Sequence, residues 1–398
     1  MQRKYSVLLL LSILSVITFL DRNAISLAGQ RITQELGLSE SQFGWILSVF
    51  TISYGLFEIP TGLLCDRFGA RRILARVVLW WSLFTVLTGL AGGFASLLVI
   101  RFMFGAGEAG AYPNTAIAIR QWFPVMERAR AQSVIWMASR IGGALAPFVV
   151  IPLQIHYGWK VSFYILGLVG IVWVIIWLTS YRDGVEPVIQ NVGTETGDKP
   201  SWSKWARSKN FWLLMLMYYC YACGVFFFIS WLPKYLQNGR GIPEDQLAYS
   251  ASLPFFLAAA GCLAGGAISD YLVKKIGLNW GRRLVPLTGL ILSGSSMLGA
   301  ALIVDNSVAI ILLALGLAFM DVTAPVSWAV ATDMGGKDSG AVTGAMNTAG
   351  LLGGTVTSIG VGYAVAYFDS YTIPVVTLGC LLITGGLLWL IIDADKKL

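Results

Sequence analysis

Charge is what this sequence has least of. Aspartate, glutamate, lysine and arginine make up only 12% of its 398 residues, against about 25% in ordinary soluble domains. Scarcity of charge over the whole length excludes one large water-soluble core. Histidine is scarcer still. His156 is the single copy, beside Tyr157 at an expected helix end, where a solvated loop residue fits better than a ligand. Cysteine is few and odd in number: Cys65, Cys220, Cys223, Cys262 and Cys380 all lie in or beside apolar segments. Cys220 and Cys223 form a C-x-x-C, but no second pair and no histidine stands near, so no metal site is expected. No nucleophile stands with a base and no histidine lies inside an apolar run, so an enzyme is not expected. The N-terminus, MQRKYSVLLLLSILSVITFLDR, imitates a signal peptide but lacks a small-residue cleavage site. The apolar pattern resumes after Asp21-Arg22, and the stretch reads as a retained first helix.

What is abundant is apolar surface, at 56% of residues. Runs of about 20 apolar residues cross a bilayer as helices. Twelve are found, at 6–30, 41–64, 73–93, 97–119, 130–153, 160–181, 209–236, 246–272, 284–303, 307–330, 338–366 and 371–392. The fold class expected is an all-α polytopic membrane protein with 12 transmembrane helices. The net charge of +7 does not imply nucleic acid, because the basic residues are scattered through short loops and never form one patch. With both termini inside, twenty-one of the 28 lysines and arginines fall on the inner side and four outside, the bias the positive-inside rule demands.

One polar linker, 182–208, divides six spans (1–181) from six (209–398), and its SWSKWARSKNFW stretch (Ser201 to Trp212) is read as interfacial. An internal repeat supports this division. GLLCDRFGARR (Gly62 to Arg72) follows the second span and GAISDYLVKKIGLNWGRR (Gly266 to Arg283) the eighth. Gly62 and Asp66 match Gly266 and Asp270 at an offset of 204 residues, a pattern of two parallel halves. Gly105, Gly107 and Gly110 spell G-x-G-x-x-G, the dinucleotide fingerprint. That fingerprint needs a strand before it in a soluble unit, so close helix packing is expected instead, as for the glycines of AMNTAGLLGG (Ala345 to Gly354).

Seven ionisable residues fall within spans: Asp21, Arg22, Glu58, Arg101, Glu108, Arg140 and Asp321. A charge near a bilayer centre costs about 2.5–3.5 kcal/mol on insertion scales, and such residues face a cavity or one another. Arg101 and Glu108 lie seven residues apart in the fourth span, two helical turns and nearly one face. That face presents a fixed cation and a carboxylate that can be protonated.

At GLLCDRFGARR the sequence resembles the major facilitator superfamily, whose G-x-x-x-D-R-x-G-x-R-R loop joins helices two and three. Gly62, Asp66, Arg67, Gly69, Arg71 and Arg72 all match; Asp270 matches in the second copy, where Tyr271 replaces the first arginine. The resemblance implies two pseudo-symmetric six-helix bundles and a gating role for the loop. FLDRNAIS, GAGEAGAYPN, QWFPVMERARA and WLPKYL are further similar to the anion:cation symporter family of sugar-acid transporters, sialin and vesicular glutamate transporters. That implies inward transport of a small organic anion coupled to protons, with no other cofactor, by a monomer in the bacterial inner membrane.

Carried over residue by residue, the resemblance makes Asp21 and Glu108 the proton sites and places Arg22, Arg101 and Tyr54 at the anion pocket. A guanidinium suits a carboxylate because its fork makes bidentate bonds and stays protonated. Glu58 and Arg140 stand where relatives carry glutamine; they are read equally as a compensating salt bridge or as an added substrate contact. Tyr218, Tyr221 and Asn347 are candidates to meet substrate hydroxyls, which an apolar pocket would leave unpaired. Asp321 has no counterpart in the family and is read as a helix-packing partner. Three arginines against three carboxylates make the first-half cluster near neutral, so it admits an anion most readily when protons occupy carboxylates. Two rival readings are a phosphate or phosphate-ester antiporter, which needs no titrating group, and a transporter-like ligand sensor.

Overall fold

The computed structural model describes residues 2–182, 205, 207–336 and 339–396, without the side chains of 2, 59, 62–68, 125, 126, 129, 130, 339 and 340. Two compact units divide the chain, Met1–Thr196 and Gly197–Leu398. The expected linker, 182–208, lies for the most part outside the described residues.

The first unit runs α1 (Gln2–Leu27), α2 (Gly29–Leu36), α3 (Glu40–Phe68), α4 (Ala70–Thr88), α5 (Phe94–Glu108), α6 (Ala111–Trp122) and α7 (Val125–Ser180). The second runs α8 (Lys209–Ser230), a short turn of helix at Leu232–Lys234 passing into a π-helical turn, α9 (Glu244–Ile276), α10 (Leu278–Leu302), α11 (Asn306–Asp321), α12 (Thr323–Gly335), α13 (Ser339–Phe368) and α14 (Thr372–Leu388). There is no strand among the described residues. Helix is what lipid permits, since it satisfies every backbone donor and acceptor within one segment. Hydroxyls in the apolar runs follow the same rule by bonding the carbonyl one turn back. Thr18 donates to Leu14, Thr85 to Trp81 and Ser327 to Thr323, at 2.9, 3.0 and 2.9 Å.

Eight helices among the described residues are long and apolar enough to cross a membrane. Three features separate this count from the twelve spans expected from sequence. The fifth and sixth merge in α7, where the expected loop is a kink at Gly158, whose φ of 80° a glycine accommodates. The twelfth, α14, stops at seventeen residues, shorter than the 371–392 expected. The second and third, α3 and α4, fall outside the eight, and α4 carries Arg71, Arg72 and Arg76 near its start. The fourth and tenth spans continue as single helices, Phe94–Trp122 and Asn306–Gly335. Their ladder of hydrogen bonds breaks briefly between α5 and α6 at Ala109-Gly110 and between α11 and α12 at Val322, while the backbone stays helical. Of the stretch read as interfacial, 201–204 and 206 lie outside the described residues; Trp205 is buried against Phe211, Ser208 caps α8 and Trp212 is exposed.

The glycines of the fourth span pack helices. A Cβ on Gly105 would lie 2.2 Å from Ser53 Oγ and 2.5 Å from the Phe50 carbonyl oxygen, and one on Gly107 would strike Trp80. The backbone of α5 therefore rests directly on α3. Replacing Gly105 by Val forces these helices apart, with an expected loss of about 1–3 kcal/mol as for other overpacked cores. Thermal unfolding in detergent, followed by tryptophan fluorescence, checks this; an unchanged midpoint would show that the contact is not tight. Gly353 and Gly354 meet the Tyr219 carbonyl and the Phe226 ring in the same manner.

Candidate functional site

Of the ionisable residues expected inside the first half, four converge. α1 carries Asp21 and Arg22 on adjacent faces, and α5 ends on Glu108, one residue before the break in the fourth span. The Arg22 Nε donates to Glu108 Oε1, so an ion pair ties α1 to the helix break. Glu108 is fully buried and Arg22 keeps a small exposed fraction. Arg101, two turns before Glu108, is buried as well; its charge acts on both Glu108 and Asp21.

Aromatic rings hold these cations in place. The Arg22 guanidinium lies 4.9 Å from the Tyr54 ring, 5.4 Å from Phe50 and 5.9 Å from Tyr112. Phe50 is shared, since the Arg101 guanidinium stands 5.2 Å from the same ring and 4.3 Å from Phe104. Ring faces attract a desolvated cation more than an exposed one. They also leave its hydrogen-bond donors uncommitted, because a ring accepts none of them in the guanidinium plane.

Several of the buried polar atoms carry no hydrogen bond from the protein: both carboxyl oxygens of Asp21, Arg22 Nη2, Arg101 Nε and Glu108 Oε2. Asp21 sits beside Trp81, whose indole N–H bears on its carboxylate without closing a well-formed hydrogen bond. Buried polar groups are nearly always satisfied, so such a concentration in one place marks a site rather than a packing core. It presents donors to an anion and acceptors to a proton.

The Tyr54 ring lies against Arg22. Glu58 and Arg140 are both half-buried. The three second-half candidates belong to the other unit. There the Tyr221 hydroxyl donates to Asp321 at 3.1 Å and the Tyr218 hydroxyl accepts from Trp328 at 3.0 Å, so protein partners engage both tyrosines. Asn347 is half-buried on α13.

A group missed by the sequence analysis adjoins Arg22. Tyr112 on α6 shares hydrogen bonds with Ser15 at 3.2 Å and Ser139 at 2.9 Å, Ser15 and Ser139 meet at 2.7 Å, and the Tyr112 ring stacks on Trp136 at 5.0 Å. Spacing contained the signal. Tyr112 follows Glu108 by four residues and Ser15 precedes Arg22 by seven, both helical repeats.

In the loop motif, the side chains of Gly62, Asp66 and Arg67 lie outside the described residues. Gly69 adopts φ 82° between α3 and α4, and Gly277 adopts φ 84° between α9 and α10, so both copies turn on a glycine in the region that other residues avoid. Arg71 donates to the Leu178 carbonyl at 2.5 Å and accepts from Trp177 through its own carbonyl, while Arg72 is exposed. In the second copy Arg282 pairs with Asp270 at 2.9 Å. At the opposite end of the first unit, Glu35 meets Lys160 at 2.6 Å and Trp159 at 2.5 Å. The Lys160 bond, then that of Trp159, hold the Glu35 carboxyl below its ordinary range, and together they brace α2 against the Gly158 kink.

Comparison with known proteins places this geometry. The family model described as Major Facilitator Superfamily matches residues 11–358. The chain is 34% identical to a probable sulfoacetate transporter, SauU, of Cupriavidus necator, over 98% of this chain and 94% of that one. It is 32% identical to a hexuronate transporter of Bacillus subtilis, over 96% and 92% respectively. A probable L-galactonate transporter of Escherichia coli is 28% identical over 96% and 88%. Among solved structures, a bacterial homologue of the human lysosomal transporter Spinster superposes with a TM-score of 0.84 at 19% identity, covering 98% of this chain and 97% of that one, a likeness of fold.

Proposed function

Since this chain belongs to the Major Facilitator Superfamily, a family of multi-pass membrane transporters and not of enzymes, we propose that it is a secondary active carrier. It moves a small organic anion, a sugar acid such as a hexuronate, galactonate or glucarate, inward together with protons by alternating access. It works as a monomer in the bacterial inner membrane with both termini in the cytoplasm, and protons are its only coupling agent. The cluster of Asp21, Arg22, Arg101 and Glu108, with its unsatisfied buried atoms, carries this reading.

Arg22 Nη2 and Arg101 Nε offer charge-assisted bonds to a carboxylate from two helices. Arg22 binds Glu108 when no anion is present, and the charge of Arg101 acts on Glu108 and Asp21, so anion and carboxylates compete for one pair of cations. A proton on Glu108 or Asp21 removes that competition and releases donors for the substrate. Proton and anion thus favour each other's binding, which is what symport requires, and such coupling is reciprocal. Tyr54 serves the substrate hydroxyls, and the Gly62–Arg72 motif and Asp270 govern the change between conformations. A phosphate antiporter would need no buried carboxylate, and the two carboxylates of the first half weigh against it.

Uptake into proteoliposomes tests this reading. A panel of glucuronate, galactonate, glucarate and sulfoacetate covers the acids that relatives are named for. Accumulation of one of them driven by an inwardly directed proton gradient is the expected result. Strict counter-exchange indifferent to pH, or binding without flux, would overturn it. Arg140 bears on selectivity: its added charge favours a doubly charged acid. Arg140→Gln is expected to lower uptake of glucarate relative to galactonate by about tenfold, the equivalent of about 1.4 kcal/mol. An unchanged ratio would remove Arg140 from the pocket and leave Glu58 as its partner.

A further inference from the structure

The second unit holds a buried carboxylate that the proposed cycle does not use. Asp321 is fully buried, and its Oδ1 accepts the Tyr221 hydroxyl at 3.1 Å. It was read from sequence as a helix-packing residue without a counterpart. The Tyr221 contact, from α8 to α11, fits that reading, and its place in the fold adds to it. Asp321 is the last residue of α11, just before the break at Val322; Glu108 is the last residue of α5, just before the break at Ala109-Gly110. Each is the terminal acid of a first half-helix in the fourth span of its own unit. A proline follows the break in both: Pro113 five residues after Glu108, Pro325 four residues after Asp321. The two halves therefore repeat an acid at a helix break, a feature hidden because the intervening residues differ in number and share only Ala111 with Ala324.

We propose that Asp321, with Tyr221 as its hydrogen-bonding partner, is a second proton-carrying carboxylate of the transport cycle. A proton from the outer water forms an O–H bond at the Asp321 carboxylate, and the same bond breaks to release the proton to the inner water. In the charged form the carboxylate accepts the Tyr221 hydroxyl; in the neutral form it needs that bond less. Tyr221 is the tuning group, and behind it the Tyr218 ring lies 5.2 Å away with its hydroxyl held by Trp328.

The surroundings suit a group that alternates between charged and neutral. Small residues bring the neighbouring helices close at this depth: Gly224 of α8 against Met320, Gly261 and Gly265 of α9 against the Ala318 and Val322 carbonyls, and Gly289 of α10 against Val322. Other titratable groups in the middle of these helices are Tyr218, Tyr219, Cys220 and Cys223 on α8 and Cys262 on α9. The charged residues of α9, α10 and α12 lie towards their ends: Glu244, Asp245, Asp270, Lys274 and Lys275; Arg282 and Arg283; Asp333. α13 brings only Tyr363 and Tyr367, near its C-terminal end. This differs from the first unit, where arginines stand within the spans.

This inference rests on the proton-driven reading, and one experiment separates the two. Reversal potentials of proteoliposomes give the number of protons moved per molecule of the best-transported acid in the four-compound panel. Full-length wild-type protein, Asp321→Asn and Tyr221→Phe are compared, with the pH profile of counter-exchange recorded for each. The expected result is that Asp321→Asn retains exchange and moves one proton fewer per acid. Tyr221→Phe is expected to keep the wild-type ratio but move the exchange profile to higher pH. Should Asp321→Asn lose all exchange, Tyr221→Phe decides: a displaced profile supports the proposal and an undisplaced one overturns it. A wild type that ignores the pH gradient overturns both readings. A pH-driven wild type with an Asp321→Asn variant of the same ratio and profile overturns only this one.

Discussion

Glu108→Gln is expected to bring accumulation driven by a pH gradient down to background while leaving part of the counter-exchange. Glutamine keeps the length of the side chain and an oxygen that can still accept the Arg22 Nε–H, but it holds no exchangeable proton and no charge. The anion then loses its competitor permanently, so binding persists and coupling does not. The substitution also leaves Arg22 without a buried counter-ion. Removing one partner of a buried pair costs about 3–5 kcal/mol, and the retained hydrogen bond offsets part of that. Thermal unfolding in detergent separates a folded, uncoupled carrier from an unfolded one. Uptake that still follows the proton gradient in a folded Glu108→Gln protein would end the proton role of this residue.

The second large effect is expected at Arg22, replaced by Lys. The charge stays, so a reading in which Arg22 only neutralises Glu108 expects little change. The geometry expects much more. One guanidinium donates to Glu108 through Nε, rests on the Tyr54 ring at 4.9 Å and keeps Nη2 unsatisfied. An ammonium is compact and cannot hold the carboxylate and reach the Nη2 position together. A hydrogen bond to a charged group contributes about 1.5–3 kcal/mol, so affinity for the transported acid should fall roughly tenfold to hundredfold. Isothermal titration with the best-transported acid measures this. Unaltered affinity would show that Arg22 serves the ion pair alone.

The legible part of the site followed from cost. Asp21, Arg22, Arg101 and Glu108 stand out because charge in an apolar run has to be explained, and seven-residue spacing put Arg101 and Glu108 on one face before any fold was known. Phe50, Trp81, Tyr112, Ser15 and Ser139 were not legible in the same way. Aromatic and hydroxyl residues are common in membrane helices, and only contact with a charged group distinguishes them from packing. Asp321 was visible as a buried charge, but its correspondence to Glu108 was not, because a repeat carried by backbone geometry leaves little identity to align. The burial of Trp205 against Phe211 was not legible either, since it depends on how the chain enters α8 at its Ser208 cap.

The sequence by itself determined that this chain is a helical membrane protein with a repeated loop motif and a charged first half. Hydrophobic length, buried charge and the Gly-Asp spacing are properties of residues in a row, and lipid leaves helix as their outcome. Tertiary structure decided which charges meet. It paired Arg22 with Glu108, set Phe50 between two arginines, broke the fourth and tenth spans at their acids, and gave Asp321 its tyrosine. The two hydrogen-bonded pairs span 86 and 100 residues of chain, and no local pattern encodes which helix faces which.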